Sequence, residues 1–481
     1  MINHIPAICM YLRTQPAMHA HHHIPSFTTS TMGTKCKTIL FEKVLFAIII
    51  YFIFSTTNTT KALDTSCASQ PDLTIIPIYG KCSPFKPTPG PWPDTIINMA
   101  SKDPARLNYL ASLVARKKPI SSAPIASGQA FNIGGYVVRA RLGTPGQLMF
   151  MVFDTSTDEA WVPCTGCTSC PSTSSPFSPT ASATYGGSIT CSATKCYQAR
   201  GAQTCPRDPG ATSACTFNQS YGGAMVSATL VQDSISLARE TISNYAFGCV
   251  NSVSGGSIPA QGLLGLGRGP LSFISQSLSL YKGVFSYCLP SFRSYYFSGS
   301  LKLGRSGQPR RIQTTPLLRN PRRPSLYYVN LTGVSVGRVR VPVPREFLVF
   351  NQYTGSGTII DSGTVITRFV QPVYNAIRDE FRRQVKGPFS SLGAFDTCFQ
   401  KTYEKLAPII KLHFEGMDLK LPYENSLIHS SSGSLACLAM AAAPNNVNSM
   451  LNVIANLQQQ NLRILFDIVN NKVGIARELC N

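Results

Sequence analysis

The chain has 481 residues, 43 Lys and Arg against 22 Asp and Glu for a formal net charge of +21, and 16 cysteines. With 43% hydrophobic residues it can bury a large core in two or three domains. Only His413 and His429 follow Phe131, and no His-Glu-x-x-His, Gly-x-Ser-x-Gly or glycine-rich phosphate loop occurs, so the usual zinc, serine and phosphoryl chemistries are excluded.

Residues 1–62 read as a leader. Val44 to Phe54 is an apolar run after Lys43. It is shorter than the roughly 20 residues that span a bilayer as a helix, and it suits a signal-peptide core ending at Thr60-Lys61-Ala62. Met32 offers an alternative start, which would make His21-His22-His23 irrelevant to metal binding. Residues 63–125 are Pro-rich at first (Pro84, Pro87, Pro89, Pro91, Pro93), then carry an apolar rhythm from Ile96 to Val114 that predicts a helix, and end in the basic triplet Arg116-Lys117-Lys118.

From Gly135 to Gly143 alternation predicts a strand, followed by Met151-Val152-Phe153-Asp154-Thr155-Ser156-Thr157. A second stretch, Thr358-Ile359-Ile360-Asp361-Ser362-Gly363-Thr364, repeats it: an apolar run, an aspartate, a hydroxyl residue, a small residue, another hydroxyl residue. The run reads as a buried strand and the small residue as a sharp turn, which holds a carboxylate rigidly beside hydroxyl donors. Two copies predict two lobes, 126–310 and 311–481, each delivering one aspartate to a shared cleft. Asp64-Thr65-Ser66 and Asp396-Thr397-Cys398 imitate the motif without its context and are read as turn residues.

Between the copies lie Trp161, the cysteines Cys164, Cys167, Cys170, Cys191, Cys196, Cys205 and Cys215, and the turn Ser220-Tyr221-Gly222-Gly223. Cys164-x-x-Cys167-x-x-Cys170 has zinc-ligand spacing, but a secretory leader favours disulfides, and no metal is expected. With Cys249, Cys288, Cys398, Cys437 and Cys480 there are twelve cysteines after Phe131, an even number. Spacing does not give their connectivity, although Cys398–Cys437 and Cys288–Cys480 are plausible closures.

Helices are predicted over Pro270 to Tyr281 and Pro372 to Val385, the latter with Val373, Ile377, Phe381 and Val385 on one face. Tyr327 to Val334 predicts a strand, and Gly304 to Pro324 a connector. Lys302 to Arg345 carries ten basic and no acidic residues. Such a patch fits a polyanionic wall polysaccharide. No nucleic-acid-binding motif accompanies it, so nucleic acid is not an expected partner and a solvated basic face is the default. Asn218 and Asn330 head glycosylation sequons. Asn330 ranks first because Asn218 adjoins Tyr221.

These motifs resemble the pepsin-like aspartic protease family over roughly Phe131 to Cys480. Gly262-Leu263-Leu264-Gly265-Leu266-Gly267 and Asn452-Val453-Ile454-Ala455-Asn456 match the segments that thread behind its two catalytic loops. Phe466-Asp467 with Asn470-Asn471-Lys472-Val473-Gly474 matches its C-terminal pattern. The Cys-rich insert and Gln458-Gln459-Gln460-Asn461 are similar to the plant nepenthesin-like, or atypical, subgroup.

The resemblance implies a mainly β, bilobal fold with pseudo-symmetric lobes and a few short helices. It implies a secreted, apoplastic, monomeric endopeptidase acting on proteins or peptides at acidic pH, without cofactor or membrane span. Asp154 and Asp361 would be the catalytic pair, Thr157 and Thr364 would orient them, and Tyr221 with Gly222 would form a flap supported by Trp161. Residues 63–125 would be a prosegment whose basic residues pair with the cleft carboxylates at neutral pH. Two positions depart from the family: Ser156 and Ala455 stand where it has glycine. The same fold also serves as a non-catalytic plant xylanase inhibitor, and a basic polyanion-binding protein is a further alternative.

Overall fold

Strand Gln147–Asp154 is buried over its last six positions, as a continuous apolar run covered on both faces requires. It pairs antiparallel with Tyr136–Leu142 and parallel with Leu263–Gly265, which brings Gly265 beside Asp154. The second half repeats the arrangement. Gly357–Ile360, buried throughout, runs antiparallel to Tyr328–Val329 and parallel to Leu451–Ile454. Each aspartate therefore stands at the end of a strand clamped from both sides. The computed structural model describes residues 74–77, 92–114 and 135–480, apart from 172–174, 200–201, 203–212, 238–239, 257, 293–298 and 445–449. The leader, Asp64, Arg116-Lys117-Lys118 and Cys205 lie outside the described residues.

The protein is mainly β and bilobal, and strands from its two halves share one sheet. Val284–Cys288 pairs with Leu462–Asp467, and Gln313–Leu318 with Lys472–Arg477. Phe285 and Phe466 stack across this sheet with ring centroids 4.8 Å apart. The connector expected at 304–324 thus contains a strand of the second half. Strand Thr74–Pro77 enters the same sheet between Tyr136–Leu142 and Gly299–Leu303.

The helix expected from Ile96 to Val114 is two helices, α1 (Trp92–Ala100) and α2 (Asp103–Val114). Pro104 explains the break, because its ring cannot follow a helical residue or accept a preceding turn but suits a helix start. Ile96, Met99 and Ala100 of α1 are buried in the main core. Leu107 and Leu110 of α2 pack with Leu326, Tyr328, Ile359, Leu451 and Val453, directly behind the Asp361 strand.

Helix α3 (Gln371–Val385) buries the predicted face and ends at Lys386, where φ is 57°. Pro270 to Tyr281 forms two short turns, Phe273–Gln276 and Leu278–Tyr281, instead of one helix. The break falls at Ser277, whose φ of −106° and ψ of 19° depart from helical values.

The cysteine cluster holds disulfides Cys164–Cys249, Cys167–Cys170 and Cys196–Cys215, and Cys191 is also disulfide-bonded. Oxidised sulfurs replace the zinc reading of this spacing. Cys288–Cys480 ties the interlobe sheet to the C-terminus, and Cys398–Cys437 joins two adjacent strands. Asn218 is exposed, whereas Asn330 is half-buried and donates through Nδ2 to Glu415 (2.8 Å), so exposure favours Asn218 over the ranking from flap proximity.

Candidate active site

Asp154 and Asp361 are fully buried, and each is held by its own loop. Oδ1 of Asp154 accepts from Ser156 N (2.8 Å), and Oδ1 of Asp361 accepts from Gly363 N (3.2 Å). The outer oxygens accept from hydroxyls: Thr157 Oγ1 to Asp154 Oδ2 (3.1 Å) and Thr364 Oγ1 to Asp361 Oδ2 (2.6 Å). Two reciprocal bonds lock the loops together. Thr155 N donates to Ser362 Oγ (3.2 Å) and Ser362 N donates to Thr155 Oγ1 (3.0 Å). The hydroxyl after each aspartate thus spans the lobes, and the hydroxyl three residues after it orients the carboxylate.

The backing segments differ for a steric reason. A Cβ on Gly265 would lie 2.2 Å from the Asp158 carbonyl oxygen, so only glycine fits there. Its counterpart Ala455 has φ −94°, where alanine bears no backbone strain. The glutamine run supplies the remaining support in the second lobe. Gln459 Nε2 donates to Asp361 O (3.0 Å) and Ile454 O (2.9 Å), and Gln458 Oε1 accepts from Thr367 N (2.9 Å).

Ser156 fits because the two loops are not equivalent. Its hydroxyl donates to Asp154 Oδ1 (3.0 Å), a bond that Asp361 has no counterpart for. A Cβ on Gly363 would instead meet the Arg106 guanidinium at 2.7 Å and Asp154 Cγ at 3.1 Å. The first lobe has room for a side chain; the second does not.

Arg106, on α2, reaches into this centre. Its Nη2 donates to Asp154 Oδ1 (2.7 Å), to Asp361 Oδ1 (3.1 Å) and to the Ser156 hydroxyl oxygen. Burial opposes the charge, but Asp154 and Asp361 outweigh it and hold the guanidinium well above its ordinary value. Three residues earlier, Asp103 accepts from Val365 N (3.1 Å) and Ile366 N (3.2 Å) and faces Arg368 Nη2 at 3.5 Å. Burial raises the Asp103 carboxyl from 3.8 to about 6, although Arg368 and the two amides pull the other way.

Tyr221 ends strand Thr216–Tyr221 and pairs with Ala224 across a two-residue turn. Gly222 and Gly223 have φ of 56° and 92°, the left-handed pair that a tight hairpin turn requires. The Tyr221 ring meets Trp161 edge-on at 5.7 Å, and α2 lies against this hairpin. Burial, then the charge of Asp154, holds the Tyr221 phenol well above its ordinary value, so it remains a neutral hydroxyl. The residues singled out from sequence, Asp154, Asp361, Thr157, Thr364, Tyr221, Gly222 and Trp161, therefore belong to one neighbourhood.

The other candidates stand elsewhere. His413 bonds to Ser335 (2.7 Å) and Asp418 (2.8 Å), and His429 to Glu404 (3.0 Å). Asp396 pairs with Arg378 (3.5 Å) and Arg382 (3.7 Å) of α3. Arg106, Asp103 and Arg368 were not anticipated. The expectation covered the basic residues of 63–125 as a group without singling out Arg106, and the usable signal was the single Asp-x-x-Arg pair inside the 96–114 helical rhythm.

Two family models, described as xylanase inhibitor N-terminal and C-terminal, match residues 136–305 and 326–477. The aspartyl protease AED3 of Arabidopsis thaliana is 61% identical over 444 residues, covering 90% of this chain and 98% of that protein. Aspartyl protease 25 of Oryza sativa subsp. japonica is 52% identical, covering 84% and 94%. The chain belongs to the plant aspartyl proteases. Nepenthesin-1 of Nepenthes gracilis, at 35% identity over 72% of this chain and 78% of its own, places it near the nepenthesin-like subgroup. The crystal structure of EDGP shares the fold, with a TM-score of 0.59 at 20% identity over 72% of this chain and 92% of that one. Relatives named as proteases do not favour the inhibitor alternative, although the family models carry that description.

The asymmetry between the loops has a measurable consequence. Ser156→Gly removes one hydrogen bond, about 0.5–1.5 kcal/mol, so peptide cleavage should stay within about tenfold of wild type. Gly363→Ala forces a Cβ against Asp154 and should cost about 1–3 kcal/mol, hence roughly 5- to 150-fold in kcat/KM. Both are read as kcat/KM of the purified protein with one peptide substrate.

Proposed function

We propose that this aspartic-type endopeptidase works through Asp154 and Asp361 and is made as a latent precursor in which Arg106 fills the catalytic position. The supporting observation is the convergence of one oxygen from each carboxylate on a single atom, Arg106 Nη2, at 2.7 and 3.1 Å. A water placed there would touch both carboxylates. Two carboxylates so close cannot both ionise readily, so the pair shares a proton over a range of acidic pH. The ionised member takes a proton from the water as it attacks the peptide carbonyl, and the other donates to the carbonyl oxygen. The tetrahedral gem-diol then collapses and the amine leaves protonated. Thr157 and Thr364 hold the carboxylate planes, and Tyr221 closes over the bound peptide.

On this reading 1–62 is the leader, 63–125 the prosegment, and 126–310 and 311–481 the two lobes. The disulfides support a secreted protein, since such bonds persist in oxidising compartments. An apoplastic monomer whose exposed basic run meets a wall polyanion belongs to the same reading, with the charge excess as its support.

Arg106 carries its charge at every relevant pH, so acid acts on its partners. Protonating the carboxylates removes the attraction that holds it. Asp103 works in the opposite sense. Docking raises its carboxyl from 3.8 to about 6, so the docked state takes up a proton between those values. Acidification through that window strengthens the Asp103 contact rather than releasing it. Release must therefore start at Arg106.

Two outcomes are expected. The purified precursor, acidified to about pH 3–5, where such a pair holds one proton, should cleave a denatured protein in a pepstatin-sensitive way, and Asp361→Asn should abolish the cleavage. Absence of cleavage by correctly processed wild type would overturn the enzyme reading. Asp103→Asn should move the midpoint of acid-triggered self-processing downward, because a neutral side chain docks as the protonated carboxyl does without first having to take up a proton. An unchanged or raised midpoint contradicts the assignment.

A further inference from the structure

Arg368 is a cation with almost no solvent: its side chain is 5% exposed. It sits on strand Thr367–Phe369, four residues after the catalytic loop's Thr364. Its partners are unevenly divided. Nη2 donates to Ala100 O (3.3 Å) and faces Asp103 Oδ2 (3.5 Å), both on the α1–α2 segment. From the body of the enzyme Nη1 donates to Ala442 O (3.2 Å), and Nε has no partner among the described residues. Beside it, the backbone amides of Val365 and Ile366 donate to the Asp103 carboxylate, one to each oxygen.

Departure of α1 and α2 removes the carboxylate from this position. Arg368 Nη2 and the two amides then lose these acceptors, and the nearly buried charge keeps the Ala442 carbonyl but loses its carboxylate. A buried cation without a counter-charge is costly, and a backbone amide without an acceptor adds to the cost. The arrangement of a guanidinium and two convergent amides is complementary to a carboxylate, as its present occupant demonstrates.

We propose that in the processed enzyme Arg368, Val365 N and Ile366 N form a subsite for an acidic side chain of the substrate, with Asp103 as its resident mimic. This rests on the reading that α2 leaves the cleft. Asp103 and Arg106 are three residues apart on one helix, an axial separation of about 4.5 Å. An extended peptide advances about 3.3 Å per residue. The acidic residue therefore lies roughly one or two residues from the scissile bond, on one side of it. The enzyme would thus prefer peptides carrying Asp or Glu at one fixed position, and Arg368 would set that preference without taking part in bond breaking.

The test uses acid-processed enzyme and a neutral internally quenched peptide, with one Asp or one Asn scanned through three positions on each side of the cleaved bond. At about pH 5, above the ordinary Asp value near 3.9, one position should show kcat/KM at least tenfold higher for Asp than for Asn. Arg368→Gln should bring that ratio close to one, and Arg368→Lys should restore part of it. A merely structural role for Arg368 would lower turnover of both peptides together and leave the ratio unmoved. Cleavage of the Asp and Asn peptides at equal rates at every position overturns the subsite and leaves the protease reading intact. Cleavage of none overturns both. The wild-type ratio decides the question even if Arg368→Gln fails to fold.

Discussion

One guanidinium nitrogen shared between two carboxylates is the contact on which the rest of this structure turns. Arg106 Nη2 lies within 3.1 Å of an oxygen from each half of the chain, and both aspartates have no solvent exposure. Two buried acids facing one another would otherwise repel or require a shared proton. The arginine supplies the opposing charge, and α2 delivers it by burying Leu107 and Leu110 behind the Asp361 strand. Removing one partner of a buried ion pair costs about 3–5 kcal/mol, roughly 150- to 5,000-fold in an equilibrium. Charge compensation at this one point can therefore decide whether the helix stays docked, while surface pairs such as Arg383–Glu380 cannot.

The loops around that contact combine symmetry with a necessary exception. Thr155 and Ser362 exchange bonds across the lobes, and Thr157 and Thr364 hold equivalent oxygens. The symmetry fails where Arg106 approaches. Gly363 leaves space for the guanidinium, and Ser156 uses its hydroxyl to bond both Asp154 and Arg106. A serine in a position that resembles a glycine consensus is thus accommodated by the asymmetry of its surroundings. The same helix carries Asp103 to Arg368, so an acid and a base three residues apart occupy two sites of opposite charge in one cleft.

The parts of this protein legible in the sequence are those with a local signature. Apolar runs ending in Asp154 and Asp361 declare buried strands because neither face meets water, and Gly222-Gly223 declares a hairpin because only glycine adopts both turn conformations readily. The face of α3 followed from its spacing. The contacts of Arg106 with Asp361 and of Asp103 with Ile366 span 255 and 263 residues, and such pairs leave no periodic trace. The triplet at 116–118 is a visible charge run, whereas a lone arginine inside a helix carries no such signature. Gln458-Gln459-Gln460 was visible as a subgroup marker, but the bond from Gln459 to Asp361 O and those of its neighbours to Asn425 O and the Tyr136 hydroxyl emerged only from the folded geometry.

The central claim is that Arg106 occupies the catalytic position of the intact precursor. It is tested most directly by calorimetric titration of pepstatin into unprocessed wild type and Arg106→Ala at about pH 6, held below the time needed for self-processing. Wild type should bind little or no pepstatin, and Arg106→Ala should gain at least tenfold in affinity, in line with the loss of a buried charge pair. Equal affinity in the two proteins would contradict it, because the cleft would then be open, or closed, for a reason unconnected with this side chain.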